Sequence, residues 1–241
     1  MKLSIIVPAH NEEDNIIDVI EKIESAVSGI DYELLVVNDH SADQTALRVE
    51  EMRHKYGNLR LVDNTAEKGF ANAIRTGFSN AGGEVVIPVM ADLCDDLSTI
   101  KEMWGKIMDG YDVVCGCRYI RGGRRAGGSR IKGFFSSFAG WSLHLLLGIP
   151  THDIANAFKM YRREVIQAIR IEAVSFEISM EIPLKAYYSG FRITEVPTTW
   201  NERTKGKSTF KMFKLFTNYF KVYQWSVLTR VKNIFTRPRK R

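Results

Sequence analysis

The chain has 241 residues, of which 45% are hydrophobic and 26% charged, so it is long enough for one large α/β domain or two small ones and extensive disorder is excluded. Its three cysteines, Cys94, Cys115 and Cys117, form neither a disulfide framework nor a complete zinc motif, which favours a reducing compartment such as the cytoplasm. The net charge of +6 is uneven: residues 201–241 hold twelve lysines and arginines against one acid, so the first 200 residues carry −5. A basic end of this kind predicts an anionic partner, such as lipid headgroups.

Strand-like and helical patterns alternate along the first half of the chain. The predicted strands cover residues 3–7, 33–37, 59–62, 85–89 and 113–115. The predicted helices cover residues 12–27, 45–56, 70–79 and 97–108. This alternation predicts an α/β fold with a mostly parallel central sheet flanked by helices. Right-handed crossovers then bring the strand C-termini to one edge, where open α/β sheets bind ligands.

The second half is less regular. Residues 121–130 are rich in glycine and arginine and predict a mobile loop. Helices are predicted over residues 134–147 and 175–188 and a strand over 191–196, while residues 201–208 predict a polar loop. No secretory leader is visible at the N-terminus. No segment reaches the roughly 20 uninterrupted apolar residues of a spanning helix.

Polar residues follow four of the predicted strands. They occupy residues 8–12, 38–41, 92–96 and 116–119. Helix capping explains some of them but not Asp39, Asp92 or Arg118. Phosphate-binding loops of the G-x-x-x-x-G-K-[ST] and G-x-G-x-x-G types are absent, which argues against kinases, NTPases and dehydrogenases.

An acidic turn, residues 90–96 (MADLCDD), follows the fourth predicted strand. The carboxylates of Asp92, Asp95 and Asp96 suit a divalent cation, Mg²⁺ or Mn²⁺, that neutralises a departing diphosphate. The alternative is that Asp95 and Asp96 stabilise the N-terminus of the next helix. That alternative is strongest for Asp96 and weakest for Asp92.

Several motifs in a fixed order resemble the inverting family 2 glycosyltransferases with the GT-A fold. The first are residues 4–13 (SIIVPAHNEE), 37–39 (VND), 68–73 (KGFANA) and the acidic turn. The later ones are residues 116–119 (GCRY), Asp153 with 158–165 (FKMYRREV), 195–197 (EVP) and 203–208 (RTKGKS). The later motifs are similar to those of dolichyl-phosphate mannose synthases and related polyprenyl-phosphate glycosyltransferases.

This resemblance implies transfer of a hexose from a nucleotide-sugar donor, GDP-mannose or a UDP-hexose, to a polyprenyl-phosphate acceptor, dolichyl or undecaprenyl phosphate. The donor-binding residues that it implies are Pro8, Ala9, Glu12, Asp39, Ala91, Asp92 and Lys207. The acceptor-binding residues that it implies are Arg118, Arg130 and Lys132. The catalytic residues that it implies are Asp92, Arg118, Asp153 and Arg203.

The acidic turn departs from the family pattern of Asp-x-Asp-x-Gln, because the matching positions here are Met90, Asp92 and Cys94. A methionine thioether is no ligand for a hard cation. Three alternatives follow: Asp92 works alone with phosphates and water, Asp95 or Asp96 supplies a second carboxylate, or metal binding is weak.

The resemblance predicts a GT-A domain over residues 1–209, with a donor half (1–119) and an acceptor half (120–209), and a basic amphipathic tail over 210–241. Aromatic residues of the tail recur at helical spacing: Phe210, Phe213, Phe216, Phe220 and Tyr223. This pattern favours an interfacial helix and peripheral association with the cytosolic face of a membrane. The alternative is a helix packed on the domain, and nucleic-acid binding is disfavoured.

Two other functions share the donor half. One is a family 2 transferase with a soluble or polysaccharide acceptor. The other is a non-catalytic nucleotide-sugar binder, which the missing carboxylate at Met90 makes conceivable. The retained Asp153, Arg118 and Arg203 argue against the second.

Overall fold

A computed structural model describes residues 1–203 and 212–236 of the chain. Its central sheet has seven strands in the order β3-β2-β1-β4-β7-β5-β8. These strands are β1 (Leu3–Ala9), β2 (Tyr32–Asn38), β3 (Leu59–Asp63), β4 (Val85–Pro88), β5 (Val113–Cys117), β7 (Lys159–Arg162) and β8 (Ile193–Pro197). A separate two-stranded sheet contains β6 (Arg124–Ala126) and β9 (Thr199–Asn201).

Helices cover both faces of the central sheet. They are α1 (Ile16–Ala26), α2 (Thr45–Arg53), α3 (Phe70–Asn80), α4 (Thr99–Met108), α5 (Arg130–Leu147), α6 (Arg163–Ala168), α7 (Ile178–Tyr188) and α8 (Met212–Thr236). One apolar core packs α1 and α4 against the sheet, and a second packs α3, α5 and α7 against its other face. Because both faces are covered, β1 and β2 are almost continuous runs of buried residues.

The sheet is parallel except at β7, which runs antiparallel to both of its neighbours, β4 and β5. The predicted α/β architecture with a mostly parallel central sheet is therefore confirmed. The C-terminal ends of β1, β2, β4 and β5 meet at one edge of the sheet, as the crossover rule requires.

The prediction of a mobile loop over residues 121–130 is wrong at β6, which is a paired strand. Arg124–Ala126 pairs in parallel with Thr199–Asn201, more than 70 residues away in the chain. Three residues without an apolar alternation carry no strand pattern of their own, so only this non-local pairing makes them a strand.

Two helix starts also differ from the predicted bounds. The first helix begins at Ile16, because the preceding loop bonds to the start of α2, with the Glu12 amide donating to Thr45 Oγ1 at 2.9 Å. Helix α5 begins at Arg130 because the Ser129 side chain caps it by accepting from the Lys132 amide. Arg130 and Lys132 therefore lie in the first turn of a helix.

Gly140 lets α5 pack directly on the segment that carries Asp153. A Cβ at position 140 would lie 1.9 Å from the carbonyl oxygen of His152, a distance that no side chain can occupy. A glycine is therefore required for this close approach of helix and backbone.

Helix α8 packs along α5 and α7 while leaving much of its surface in solvent. Tyr219 donates to the carbonyl of Phe176 at 3.0 Å, and Tyr223 donates to Ser142 Oγ at 3.1 Å. On the solvent side, Leu228 is 58% exposed. None of the described helices combines the length and the apolar character needed to cross a bilayer. Two of the tail's predicted aromatic positions lie outside what the structure describes: Phe210 and the side chain of Phe213.

Candidate active site

A cavity of about 570 Å³ opens at the edge of the sheet where β4 and β5 end. Its lining is charged at the sheet edge and aromatic between α5 and α8. The charged part includes Asp92, Asp95, Arg118, Lys132 and Arg203, and the aromatic part includes Phe135, Phe138, Phe216, Phe220 and Tyr223. One cavity therefore joins a site suited to phosphates with a site suited to an apolar chain.

Arg203 brings together two of the predicted donor-site carboxylates. Its Nη2 lies 3.3 Å from Asp92 Oδ2 and 3.5 Å from Glu12 Oε1. Glu12 follows β1 and Asp92 follows β4, so the contact spans two strands of the sheet. Burial raises the pKa of Glu12 above its ordinary value, while Asn15 and Arg203 oppose the rise. These three side chains form a compact charged group at the end of the sheet.

The backbone of the acidic turn is anchored on β9. The Asn201 amide donates to the Cys94 carbonyl at 2.7 Å, and the Asp96 amide donates to the Thr199 carbonyl at 3.0 Å. Within the turn, Leu93 has a positive φ of 55°, which is unusual for a bulky residue and is associated with functional turns. This geometry lets Asp92 Oδ1 accept from the Cys94 amide at 3.2 Å.

The three carboxylates of the turn have different surroundings. Asp96 Oδ1 accepts from the Ser98 amide at 3.0 Å and from Ser98 Oγ at 2.7 Å, just before α4. Asp95 Oδ1 is buried and has no hydrogen-bond partner among the described residues. Burial, followed by the nearby Asp92, raises the pKa of Asp95 to about 7.

A hard divalent cation fits this turn. Asp92 is fixed by Cys94 and Arg203 yet still lines the cavity, and Asp95 has a buried oxygen in need of a positive partner. Within the described residues no group of three or more metal-binding side chains is present. Two carboxylates are nevertheless enough where phosphate oxygens and water complete the coordination of Mg²⁺.

Arg118 and Asp153 form a buried ion pair beside the cavity. The Arg118 guanidinium donates to both Asp153 oxygens, from Nε at 2.7 Å and from Nη2 at 2.8 Å, and its amide donates at 3.0 Å. Asp153 is fully buried, and Arg118 also donates to Ser136 Oγ at 3.0 Å. Burial alone lowers the pKa of Arg118, but the Asp153 carboxylate raises it above its ordinary value. Asp153 thus fixes the orientation of a permanently charged Arg118.

The predicted donor-binding residues Pro8, Ala9 and Asp39 lie at the ends of β1 and β2. Asp39 is buried and accepts from the Gly69 amide at 3.0 Å and from Asn64 Nδ2 at 2.7 Å, so it fixes the start of α3. Pro8 and Ala9 end β1, where the Ala9 carbonyl accepts from the Asp39 amide at 2.8 Å.

The remaining predicted residues fall in different places. Ala91 is buried in the acidic turn. Lys132 lines the cavity, whereas Arg130 is exposed at the start of α5 and is not among the residues that line it. Lys207 lies outside the described residues.

Sequence reasoning missed Trp200, which lines the cavity beside the acidic turn. Its backbone forms an isolated bridge with Asp95, and the guanidinium of Arg125 lies 5.1 Å from the centre of its ring. The only signal in the sequence is a tryptophan shortly before Arg203, and β6 and β9, which carry these residues, have no local strand pattern.

Sequence reasoning also missed Lys159, a fully buried lysine in β7. Its ammonium group donates to the carbonyls of Ile154 (3.0 Å), Ser179 (3.2 Å) and Asn156. It therefore holds the segment after Asp153 against α7. Burial lowers its pKa.

The central sheet with an acidic turn after β4 is the arrangement of GT-A glycosyltransferases. A crystal structure of glucosyl-3-phosphoglycerate synthase from Mycobacterium tuberculosis, in complex with Mn²⁺, UDP and glucosyl-3-phosphoglycerate, superposes with a TM-score of 0.69 at 20% identity and covers 95% of this chain and 79% of that one. The model of glycosyl transferase family 2 matches residues 4–170. The chain belongs to glycosyl transferase family 2, as the sequence motifs predicted.

Curated relatives refine the comparison. A dolichol-phosphate mannosyltransferase of Pyrococcus furiosus is 30% identical over 93% of this chain, which spans 64% of that relative's length. A polyprenol monophosphomannose synthase of Mycolicibacterium smegmatis is 26% identical over 94% of this chain and 88% of the relative. An undecaprenyl-phosphate 4-deoxy-4-formamido-L-arabinose transferase of Pseudomonas fluorescens is 28% identical over 90% of this chain and 63% of the relative. Each of the three names refers to a polyprenyl carrier and to a sugar that is attached to it.

Proposed function

We propose that this chain transfers a hexose from a nucleoside-diphosphate sugar, GDP-mannose or a UDP-hexose, to a polyprenyl phosphate. The observation that carries the proposal is the continuity of the cavity from Asp92, Arg118 and Arg203 to the aromatic side chains of α5 and α8. A phosphate on a long apolar chain has this same division of charge and hydrophobicity. The names of the relatives in Pyrococcus furiosus, Mycolicibacterium smegmatis and Pseudomonas fluorescens support the same class of acceptor.

The donor diphosphate binds at the charged end of the cavity. Arg203 pairs with its phosphate oxygens, a role that its contacts with Glu12 and Asp92 beside the cavity support. Asp92 holds a divalent cation, Mg²⁺ or Mn²⁺, which when bound neutralises charge on the departing diphosphate. The base and ribose lie toward the ends of β1 and β2, near Pro8, Ala9 and Asp39.

The acceptor phosphate binds beside Arg118. One phosphate oxygen attacks the anomeric carbon of the sugar from the side opposite the diphosphate, the bond from that carbon to the diphosphate oxygen breaks, and the nucleoside diphosphate leaves with the electron pair. The configuration at the anomeric carbon is thereby inverted. The acceptor phosphate is already an anion near neutral pH, so this step requires no general base.

Asp153 therefore acts through Arg118 rather than on the substrate. Both of its oxygens accept from the Arg118 guanidinium, and the side chain is fully buried. Catalysis then depends on the positioning of two phosphate groups and on neutralisation of the leaving group. Lys132, at the start of α5, supplies a further positive charge to the same cavity.

The exposed apolar surface of α5 and α8 is proposed to dock on the membrane that contains the acceptor. Phe134 is 64% exposed, Leu145 83% and Phe235 83%. Monomeric soluble proteins rarely expose apolar side chains at this density. Lysines and arginines in and after α8 would add attraction to anionic headgroups. We therefore propose peripheral association with the cytosolic face.

The test is a donor-by-acceptor matrix with the purified full chain. GDP-mannose, UDP-glucose, UDP-GlcNAc and UDP-galactose are each incubated with Mn²⁺ and with vesicles that contain undecaprenyl or dolichyl phosphate, and glycolipid is measured by mass spectrometry. One donor is expected to give a glycosylated polyprenyl phosphate. Matched reactions contain a soluble phosphorylated acceptor, 3-phosphoglycerate. Turnover of the soluble acceptor without any glycolipid would reject the polyprenyl-phosphate proposal.

A further inference from the structure

The acidic turn has three carboxylates, and the structure gives each a different set of partners. Asp96 is engaged by Ser98, whose amide and hydroxyl both donate to its Oδ1 just before α4. Asp92 contacts Cys94 and Arg203 and lines the cavity. Asp95 also lines the cavity, but its buried Oδ1 accepts from no donor among the described residues. A bound cation would stabilise such an oxygen, since an unpaired buried anion is strongly destabilising.

The buried cations near Asp95 are engaged with other groups. Arg118 donates to both oxygens of Asp153 and to Ser136. Lys159 donates to three backbone carbonyls. Both lie close enough to act electrostatically on Asp95. Neither donates a hydrogen bond to Asp95 Oδ1 within the part of the chain that the structure describes.

The backbone on either side of Asp95 is fixed. Asp95 bridges Trp200 of β9, the Cys94 carbonyl accepts from the Asn201 amide, and the Asp96 amide donates to Thr199. These contacts hold the turn at three consecutive residues. A carboxylate on a fixed backbone is preorganised for a ligand, because little conformational entropy remains to be lost on binding.

We propose that Asp95 supplies the second carboxylate of the divalent-cation site, beside Asp92 and in place of the residue at position 90. Met90 lines the same cavity, but its thioether is not a ligand for Mg²⁺ or Mn²⁺. The inference rests on the proposed function, because the cation is required there by the departing diphosphate. It selects one of the two carboxylates, Asp95 and Asp96, that the sequence left as alternatives.

The test is direct Mn²⁺ binding to the full chain with saturating UDP or GDP, measured as loss of the free-Mn²⁺ electron paramagnetic resonance signal. Asp95→Asn keeps the size of the side chain and is expected to weaken Mn²⁺ binding by roughly tenfold or more. Asp96→Asn removes the same charge one residue away, keeps an oxygen for Ser98, and is expected to remain within about twofold of wild type. Wild-type Mn²⁺ affinity in Asp95→Asn would overturn the inference, as would a loss confined to Asp96→Asn.

A rescue variant tests whether Asp95 is a ligand of the cation or has only a structural role. Met90→Asp combined with Asp95→Asn returns one carboxylate to the cavity and is expected to recover part of the lost affinity. Thermal unfolding without metal checks the fold, and Asp95→Asn is expected to be at least as stable as wild type because it removes an unpaired buried charge. A folded Asp95→Asn protein whose Mn²⁺ affinity the added carboxylate does not improve would contradict a ligand role.

Different results would overturn the proposed function and the proposed role of Asp95. If Mn²⁺ binding depends on Asp95 but no glycolipid forms with any donor, the metal site stands and the proposed acceptor is wrong. If glycolipid forms and Asp95→Asn binds Mn²⁺ like wild type, the proposed function stands and the role of Asp95 is wrong.

Discussion

The charged end and the apolar end of the cavity differ in how their side chains are stabilised. At the charged end two arginines have partners inside the protein: Arg118 binds Asp153, and Arg203 contacts Asp92 and Glu12. At the apolar end, α5 and α8 leave large side chains such as Phe134 and Phe235 in contact with solvent. Charged groups that act on phosphates must be preorganised before the substrate arrives. Exposed apolar groups instead gain about 25 cal/mol per Å² when a lipid covers them.

This contrast predicts that catalysis and membrane association depend on different ends of the cavity. Changes at the charged end are expected to reduce turnover, while changes at the apolar end are expected to reduce membrane association and leave the donor site intact. A variant that affected both equally would argue against the division.

The largest effect is expected for Asp92→Asn, which removes the carboxylate that both holds the cation and contacts Arg203. Transfer should fall by about 100-fold or more, a size typical for loss of a preorganised electrostatic group. Product formation under saturating donor and Mn²⁺ measures the change. Asp109→Asn, on the exposed end of α4, is the control and should retain full activity. Near-normal turnover in Asp92→Asn would remove its assigned role.

Asp153→Asn should be the next most damaging change, because it leaves Arg118 buried without its counter-ion. Breaking a buried pair in this way typically costs about 3–5 kcal/mol of unfolding free energy. Denaturant unfolding measures the cost. The double variant Asp153→Asn with Arg118→Met is expected to be more stable than Asp153→Asn alone. If the double variant were instead less stable, by the sum of the two single losses, the pair would not be coupled.

A smaller effect is expected at the apolar end. Phe216→Ser with Phe220→Ser removes two rings of α8 that are about half exposed, and should weaken binding to anionic vesicles by about tenfold or more. Full burial of an aromatic side chain contributes roughly 1.5–3 kcal/mol, and lipid can cover only the exposed half of each ring. Vesicle sedimentation measures this. Leu47→Ser removes an equally exposed apolar residue of α2, far from α5 and α8 in the fold, and should leave sedimentation unchanged. Equal losses in both variants would deny α8 a specific role.

The smallest effect is expected at the contact that joins the two apolar helices. Tyr223→Phe removes the hydroxyl that donates to Ser142 Oγ and should lower the free energy of unfolding by about 1 kcal/mol. Ser142→Ala should cost a similar amount. Because both changes remove the same bond, the double variant should lose little more than either single one. Full additivity would show that the bond contributes nothing.

Sequence patterns predicted the parts of the fold that depend on neighbouring residues. The buried runs of β1 and β2 and the acidic turn after β4 are local, so composition and spacing were sufficient. The pairing of β6 with β9 was not predictable, because neither three-residue strand has an apolar alternation. The family motifs named Arg118 and Asp153, but only the structure joins them in one buried ion pair.

The acidic turn is a second feature that the sequence alone does not determine. The sequence separated Asp92 from Asp96 but left Asp95 and Asp96 as alternatives for a second metal ligand. The contacts in the structure distinguish all three: Ser98 for Asp96, Arg203 for Asp92, and an unpartnered buried oxygen for Asp95 among the described residues. The bridge at Asp95 and the Arg203 contact at Asp92 depend on β9 and the residue that soon follows it, about 100 residues further along the chain, whereas the Ser98 contact at Asp96 is local.

The most direct test of a single cavity that joins phosphate chemistry to lipid binding is photo-crosslinking. A polyprenyl phosphate with a diazirine in its isoprenoid chain is irradiated in vesicles with the full protein, Mn²⁺ and nucleoside diphosphate, and the labelled peptides are identified by mass spectrometry. The account predicts labels on α5 and α8, near Phe135, Phe138 and Phe220, and competition by unlabelled polyprenyl phosphate. Labels confined to other surfaces, or labels on α5 and α8 that an excess of polyprenyl phosphate does not reduce, would contradict it.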